Sequence, residues 1–306
     1  MKGVVIKSTG SWYDILGEDH NIYKGRLRGK FKIKNLNVTN PIAVGDYVEF
    51  EQEESADSSV IKDILPRENY IIRKSVQKSS QGHLIACNVD QTVLIVTLAT
   101  PRTSLGFIDR FLVSAESFRI PAIIVFNKTD IYDETLKEQL NQVMNIYTQI
   151  GYTCLATSAL ENKGIEELKS LLRGKKSVLS GHSGVGKSSL INIIAPGLDL
   201  KTGEVSTFAN KGVHTTTFAE MFEIEPGTFI IDTPGIKELG LYEIEEDELS
   251  HYFPEMRALI GECKFHNCRH VNEPQCAVLE KVKQGEIAES RYQSYLSMLS
   301  GEEKHR

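Results

Sequence analysis

The feature that most constrains this chain is Gly181-His182-Ser183-Gly184-Val185-Gly186-Lys187-Ser188, a match to G-x-x-x-x-G-K-[ST] set between an apolar strand ending in Val178-Leu179 and an apolar helix from Ser189 to Ala195. A strand that stops, a glycine turn and a helix that starts present successive backbone amides and a helix N-terminus to phosphate. In such a loop the amides from Gly181 to Ser189 wrap the phosphates, Lys187 neutralises the β- and γ-charges, and Ser188 ligates Mg²⁺. The motif therefore predicts a P-loop α/β domain.

The surrounding pattern agrees with that expectation. From Asp90 onward the strands Val93 to Ala99, Ala122 to Phe126, Thr153 to Thr157, Ser177 to Ser180 and Thr228 to Ile231 alternate with helices Phe107 to Arg119, Glu134 to Ile150 and Ile165 to Leu172. Runs such as Val93-Leu94-Ile95-Val96 and Ile123-Ile124-Val125 suit strands of a mostly parallel sheet covered on both faces.

Three further motifs specify the ligand. Asn127-Lys128-Thr129-Asp130 closes a strand with the form N-K-x-D. A carboxylate at Asp130 accepts both the ring N–H and the exocyclic amino group of guanine, a donor pair that adenine lacks. Asn127 addresses the opposite edge, and the Lys128 stem covers the base. Thr157-Ser158-Ala159 follows the next strand and offers a backbone N–H to the guanine oxygen. Asp232-Thr233-Pro234-Gly235 ends another strand, where Asp232 holds Mg²⁺ through water and the Gly235 amide meets the γ-phosphate. An ATP-using protein is opposed by Asp130.

The order of these motifs is unusual: the base-reading residues precede the phosphate loop, whereas ordinary small GTPases place them last. Circular permutation satisfies this order without moving a residue in space. It also runs the switch segment after Asp232 directly into the C-terminal region. Between phosphate loop and Asp232 lies Gly212-Val213-His214-Thr215-Thr216-Thr217, in a Gly-, Thr- and Asn-rich stretch that reads as a mobile loop. Thr215 or Thr216 is the expected switch ligand to Mg²⁺. Ile236 stands where a Ras-like protein carries the glutamine that orients water, so His214 is the candidate for that task.

The first 65 residues read as short strands, Lys2 to Ser8, Trp12 to Leu16, Asn21 to Leu27 and Tyr47 to Glu51, the spacing of a small barrel. The net charge of the chain is −6, yet residues 1–40 hold eight Lys or Arg against three acids, a local +5. Basic strands with Trp12, Tyr13, Tyr23 and Phe31 fit an RNA platform; the competing reading places the aromatics in the core and the lysines on an ordinary solvated face.

Three of the five cysteines crowd into Cys263-x₄-Cys268-x-His270-x₅-Cys276, the ligand number and softness of a closed zinc site, with His266 a competing ligand. Cys87 and Cys154 read as small core residues. Beyond the cluster, Ile287, Tyr292, Tyr295, Leu296 and Leu299 form a helical packing stripe within Ala277 to Leu299. No apolar run reaches membrane-spanning length, and the start lacks a signal-peptide pattern, which predicts a cytoplasmic protein with no membrane partner.

The ordered set of N-K-T-D, T-S-A, G-x-S-G-V-G-K-S-S, G-x-H-T-T, D-T-P-G and C-x₄-C-x-H-x₅-C, preceded by a barrel, resembles the RsgA (YjeQ) family of small-subunit-dependent GTPases over essentially the whole chain. The resemblance implies an α/β circularly permuted P-loop GTPase domain at 66–240, an N-terminal all-β OB-fold barrel at 1–65 and a C-terminal helical zinc-binding domain at 241–306. It further implies a monomer that contacts the small ribosomal subunit and its rRNA, hydrolyses GTP to GDP with stimulation by that subunit, carries one Zn²⁺ and uses Mg²⁺ with GTP. The family's histidine, proposed as catalytic beside Lys187 and Thr215, falls on His214. A nucleotide-gated RNA-binding assembly chaperone without significant turnover is the alternative that Ile236 keeps open.

Overall fold

The computed structural model describes residues 1–27, 38–53, 58–74, 82–196, 219–232 and 244–301. The N-terminal strands are β1 (Lys2–Ser8), β2 (Tyr13–Gly17), β3 (Ile22–Leu27), β4 (Tyr47–Gln52) and β5 (Ser59–Ile64). They close on themselves: β1–β2, β2–β3, β4–β5 and β1–β4 pair antiparallel, and β3–β5 pair parallel. Closure leaves no unpaired edge within this ring. Val5, Tyr13, Ile15, Val48, Phe50 and Ile61 fill the interior. Gly25 is where Ile15 takes the space, since a Cβ there would lie 2.6 Å from the Ile15 Cδ1.

The aromatics of this barrel divide between the two readings. Tyr13 is core, and Tyr23 packs on Phe50 while its hydroxyl donates to Asp19 at 2.6 Å. Trp12 is 45% exposed, with the Arg26 guanidinium 6.0 Å from the centroid of its ring, and is therefore a surface aromatic. Phe31 lies outside the described residues.

A two-stranded antiparallel unit, β6 (Tyr70–Lys74) and β7 (Gly82–Cys87), follows the barrel. The barrel's sheet continues past β1 in the order β12-β13-β11-β8-β9-β10, built from β8 (Gln91–Val96), β9 (Ala122–Phe126), β10 (Thr153–Ala156), β11 (Lys176–Ser180), β12 (Glu220–Glu225) and β13 (Thr228–Asp232). All neighbours from β13 to β10 are parallel, and β12 runs antiparallel to β13. Helices α1 (Leu105–Ser117) and α2 (Glu134–Ile150) cover one face through Phe107, Ile108, Phe111, Leu140, Val143 and Tyr147. Helices α3 (Ile165–Leu172) and α4 (Lys187–Ile194) cover the other through Ile165, Leu168, Leu172, Leu190, Ile191 and Ile194. Sequence logic is visible in α2: the Asp133 carboxylate caps it by accepting from the Leu136 N–H at 2.8 Å, and Gly151 ends it at φ 109°.

Two boundaries differ from expectation. Strand β8 starts two residues early, at Gln91, because its polar side chain is satisfied inside: Gln91 Nε2 donates to Leu171 O and Ser177 Oγ, both at 2.9 Å. It ends at Val96, where the chain turns so that the Leu98 N–H donates to the Tyr132 hydroxyl at 2.8 Å. The stripe expected to run from Ala277 to Leu299 is two helices, α6 (Ala277–Lys283) and α7 (Glu289–Ser300), separated around Gly285 at φ 75°.

The C-terminal region packs α5 (Pro254–Arg257), α6 and α7 into a separate core containing Phe253, Met256, Val278, Ile287, Tyr292 and Tyr295, into which α1 inserts Val113. Arg291, fully buried on α7, crosses this junction. Its Nη1 donates to Asp109 Oδ1 of α1 at 2.8 Å, its Nε to Glu255 Oε1 at 2.7 Å, and the Tyr147 hydroxyl donates to the same Asp109 oxygen. Burial alone would weaken the charge on Arg291, but Asp109 and Glu255 outweigh it and keep the guanidinium firmly protonated. Removing one partner of a buried ion pair strands the other charges, at a cost of about 3–5 kcal/mol. Arg291→Leu is therefore expected to shift the denaturant unfolding of this region to markedly lower midpoint; an unchanged midpoint would show that the triad does not hold the region in place.

Candidate functional site

The parallel strands β9, β10, β11 and β13 end on the same edge of the sheet, where an open α/β sheet binds its ligand, and the described loops after β9, β10 and β11 meet there. Asn127, fully buried after β9, ties three of them together. Its Nδ2 donates to Val185 O in the phosphate loop at 2.8 Å, and its Oδ1 accepts from the Thr157 hydroxyl at 3.0 Å. The Tyr132 hydroxyl also donates to Asn127 O, at 3.1 Å. Asn127 is thus a brace between the base-reading and phosphate-binding loops, and a side chain at Gly186 (φ 93°) would collide with its Nδ2.

The remaining base-reading residues are preorganised around it. Lys128 adopts φ 62° and lays its side chain along the loop after β8, donating to Thr100 O at 2.9 Å. Thr129 donates through its hydroxyl to Thr157 O at 3.1 Å. Asp130 receives the Ser158 hydroxyl on Oδ1 at 2.5 Å, which fixes the carboxylate plane while leaving lone pairs for a base. Ser158 and Lys163 exchange both backbone hydrogen bonds at 3.0 Å, so the Ser158 amide is occupied and the adjoining Ala159 amide is the candidate donor to a guanine oxygen.

The phosphate loop has the expected frame. Gly181 takes φ 141° against Ile95 O, Gly184 takes φ 84° beside Pro101, and Gly186 starts α4, with Val185 and Ser188 buried. Lys187 Nζ donates to Gly181 O and, at 2.8 Å, to His182 O, spanning the concave face of its own loop. Ser183 and Ser189 lie on the same loop and helix start. The His182 ring packs against Phe107 of α1 in a tilted pair with centroids 3.9 Å apart, a support that no motif spacing reveals. Asp232 ends β13, the strand beside β11, and Ser188 lies in the first turn of α4 after the phosphate loop; a carboxylate and a hydroxyl are hard oxygen donors of the kind Mg²⁺ takes. His214, Thr215, Thr216, Gly235 and Ile236 lie outside the described residues.

A second cluster sits in the C-terminal region. The ligand atoms of Cys263, Cys268, His270 and Cys276 all lie within 4.8 Å of one another; His270 Nδ1 is 3.3 Å from Cys276 Sγ, and Cys263 Sγ is 3.9 Å from Cys276 Sγ. Zn–S bonds of about 2.3 Å in a tetrahedron set S···S near 3.8 Å, so the cluster fits one ion of that size and softness. His266 is not part of it. The cluster's turn is held from outside by the Tyr292 hydroxyl on His270 O at 2.8 Å and the Tyr295 hydroxyl on Arg269 O at 2.7 Å.

A guanine-reading loop that precedes its phosphate loop in the chain yet lies against it in space defines a circularly permuted P-loop GTPase. Relatives bear this out: the RsgA GTPase model matches residues 64–242 and the RsgA N-terminal domain model residues 2–60. The chain belongs to the RsgA GTPase family. It is 56% identical over 307 residues, with both chains covered completely, to the small ribosomal subunit biogenesis GTPase RsgA of Cytophaga hutchinsonii. Among solved structures it is similar to YjeQ from Thermotoga maritima, at 39% identity with TM-score 0.81, covering 100% of this chain and 99% of that one. It is likewise similar to YloQ, described as a circularly permuted GTPase, at 31% identity with TM-score 0.77, covering 100% and 96%. No helix among the described residues is long and apolar enough to cross a membrane.

Proposed function

We propose that this chain hydrolyses GTP during late maturation of the small ribosomal subunit, a stage of the biogenesis for which its relatives are named, and that binding the subunit stimulates turnover. The observation that carries this reading is the brace from Asn127 to Val185 together with Asp130 pinned by Ser158, a site built for guanine directly against a phosphate loop. Asn127, Lys128, Thr129, Asp130, Ser158 and Ala159 hold the base. The loop from Gly181 to Ser189 and the Gly235 amide hold the phosphates, with Lys187 matching the charge on the β- and γ-groups. Ser188, Asp232 and Thr215 are the residues for Mg²⁺, which when bound neutralises charge developing on the phosphates. His214 orients the attacking water in place of the glutamine that Ile236 replaces.

One Zn²⁺ in the cluster of Cys263, Cys268, His270 and Cys276 has a structural role, because four protein ligands leave no open position for substrate. The division into 1–65, 66–240 and 241–306 assigns the barrel to rRNA, with the exposed Trp12 and Arg26 as its stacking and phosphate contacts. A cytoplasmic monomer completes the reading.

The test is GTP turnover of the purified chain with and without small subunits, for the unaltered protein and His214→Ala, with nucleotide affinity measured separately. The expected result is slow intrinsic hydrolysis, a rise of orders of magnitude with subunits, and loss of that rise in His214→Ala at unchanged affinity. Binding without any rise would favour the nucleotide-gated RNA-binding chaperone, the reading that Ile236 supports.

A further inference from the structure

The barrel and the nucleotide domain share one sheet through a single contact between β1 and β12, and its position matters. Lys7 of β1 is the registered partner of Glu220, the first residue of β12, and Glu220 is in turn the registered partner of Asp232 at the end of β13. The three residues form one row across three strands. Directly opposed residues of an antiparallel pair point to the same face with Cβ atoms about 5 Å apart. Glu220 and Asp232 are therefore like charges side by side, an arrangement that is unfavourable in itself. On the other side of Glu220, Lys7 Nζ reaches across from the barrel to Glu220 Oε1 at 3.0 Å.

Neither the phosphate-loop motif nor the base-reading motif requires a carboxylate at Glu220 or a cation at Lys7. A divalent cation at Asp232 changes the meaning of the row, because it converts the repulsion between the two carboxylates into a shared attraction. We infer that Glu220 is a positioning residue for the magnesium corner, strengthening the hold of Asp232 on the ion, and that Lys7 of the barrel attenuates this effect by pairing with Glu220. This rests on the reading of Asp232 as the carboxylate that holds Mg²⁺. The pair is partly solvated, with side chains 38% and 37% exposed, so its influence is modest and weakens as salt screens it. The barrel thus sets the local charge at the nucleotide site through one side chain.

The test uses the full chain loaded with a fluorescent GDP analogue, with Mg²⁺ titrated at low ionic strength and nucleotide retention as the readout. Glu220→Gln is expected to raise the half-saturating Mg²⁺ concentration by about three- to tenfold, and Lys7→Gln to lower it by a smaller factor. In the Glu220→Gln background, Lys7→Gln is expected to change nothing, since Lys7 acts only through Glu220. Lys7→Arg restores the unaltered value, and all shifts shrink at high salt. A purely structural role for the β1–β12 contact would not give opposite signs for its two partners, nor a salt-dependent cycle. Circular dichroism and GDP affinity at saturating Mg²⁺ check that each variant is folded. Mg²⁺-dependent retention with no shift in either variant, or a Lys7→Gln effect that persists without Glu220, would overturn the inference alone. Retention that ignores Mg²⁺ in the unaltered chain would overturn the reading of Asp232, and this inference with it.

Discussion

Asp130→Asn is expected to lose GDP and GTP affinity by about 10²- to 10⁴-fold and to regain tight binding with xanthosine diphosphate. In the native chain Ser158 donates to Asp130 Oδ1 at 2.5 Å, which orients the carboxylate and leaves acceptor positions for the guanine ring N–H and amino group. Each hydrogen bond to a charged group contributes about 1.5–3 kcal/mol, so two give about 3–6 kcal/mol. Each 1.4 kcal/mol is about a factor of ten in affinity. In the variant the amide oxygen keeps the Ser158 bond, which turns the amide NH₂ toward the base, where it meets the guanine amino group as donor against donor. Xanthine carries an oxygen at that position and accepts the bond instead. Titration of the variant with fluorescent guanine and xanthine diphosphates measures both halves; GDP affinity within about threefold of the native chain would remove Asp130 from base recognition.

That prediction was accessible from residue identities alone, because base and phosphate chemistry dictate residue types at short fixed spacings. Asn127, Asp130, Ser158 and Lys187 lie in such local patterns, and the β-branched run of β9 shows its burial in its composition. The supports around them are different in kind. Phe107 under His182 and the Asn127 link to Val185 join residues far apart in the chain, and no local periodicity marks either. Lys7–Glu220 and Asp109–Arg291 span 213 and 182 residues. Strand β12, Glu220-Met221-Phe222-Glu223-Ile224-Glu225, keeps only Met221 fully buried, so its composition resembles a surface segment. The break between α6 and α7 was hidden because both helices supply apolar residues to one core on either side of Gly285: Ile287 and Tyr292 join the core that Val278 enters from α6.

The same distinction between local signal and long-range support governs the C-terminal region, where removal of metal is expected to have the other large effect. Cys276→Ser should abolish stoichiometric zinc and unfold this region at much lower denaturant, while GDP binding persists. Between α5 and α6 the chain forms no helix or strand, so its path depends on the cluster and on hydroxyl bonds from Tyr292 and Tyr295. Without an ion the cluster is poorly served: burial pushes the Cys268 thiol up to about 12 and raises that of Cys276, leaving thiols with only weak hydrogen bonds to exchange. Structural zinc contributes apparent binding free energies of about 10–16 kcal/mol to small folds, more than the net stability of about 0.05–0.15 kcal/mol per residue leaves to a region of this size. Cys276 has an added role, since its sulfur caps α6 by accepting from the Leu279 N–H at 3.5 Å. Serine keeps that cap and loses the thiolate, so the variant isolates the metal from the helix. Cys154→Ala, far from the cluster in strand β10, should leave metal content unchanged. Because the nucleotide loops rest on β9, β11 and α4 with cores of their own, metal loss should separate one unfolding transition into two. A Cys276→Ser protein that retained one zinc and a single transition would show that the ion lies elsewhere.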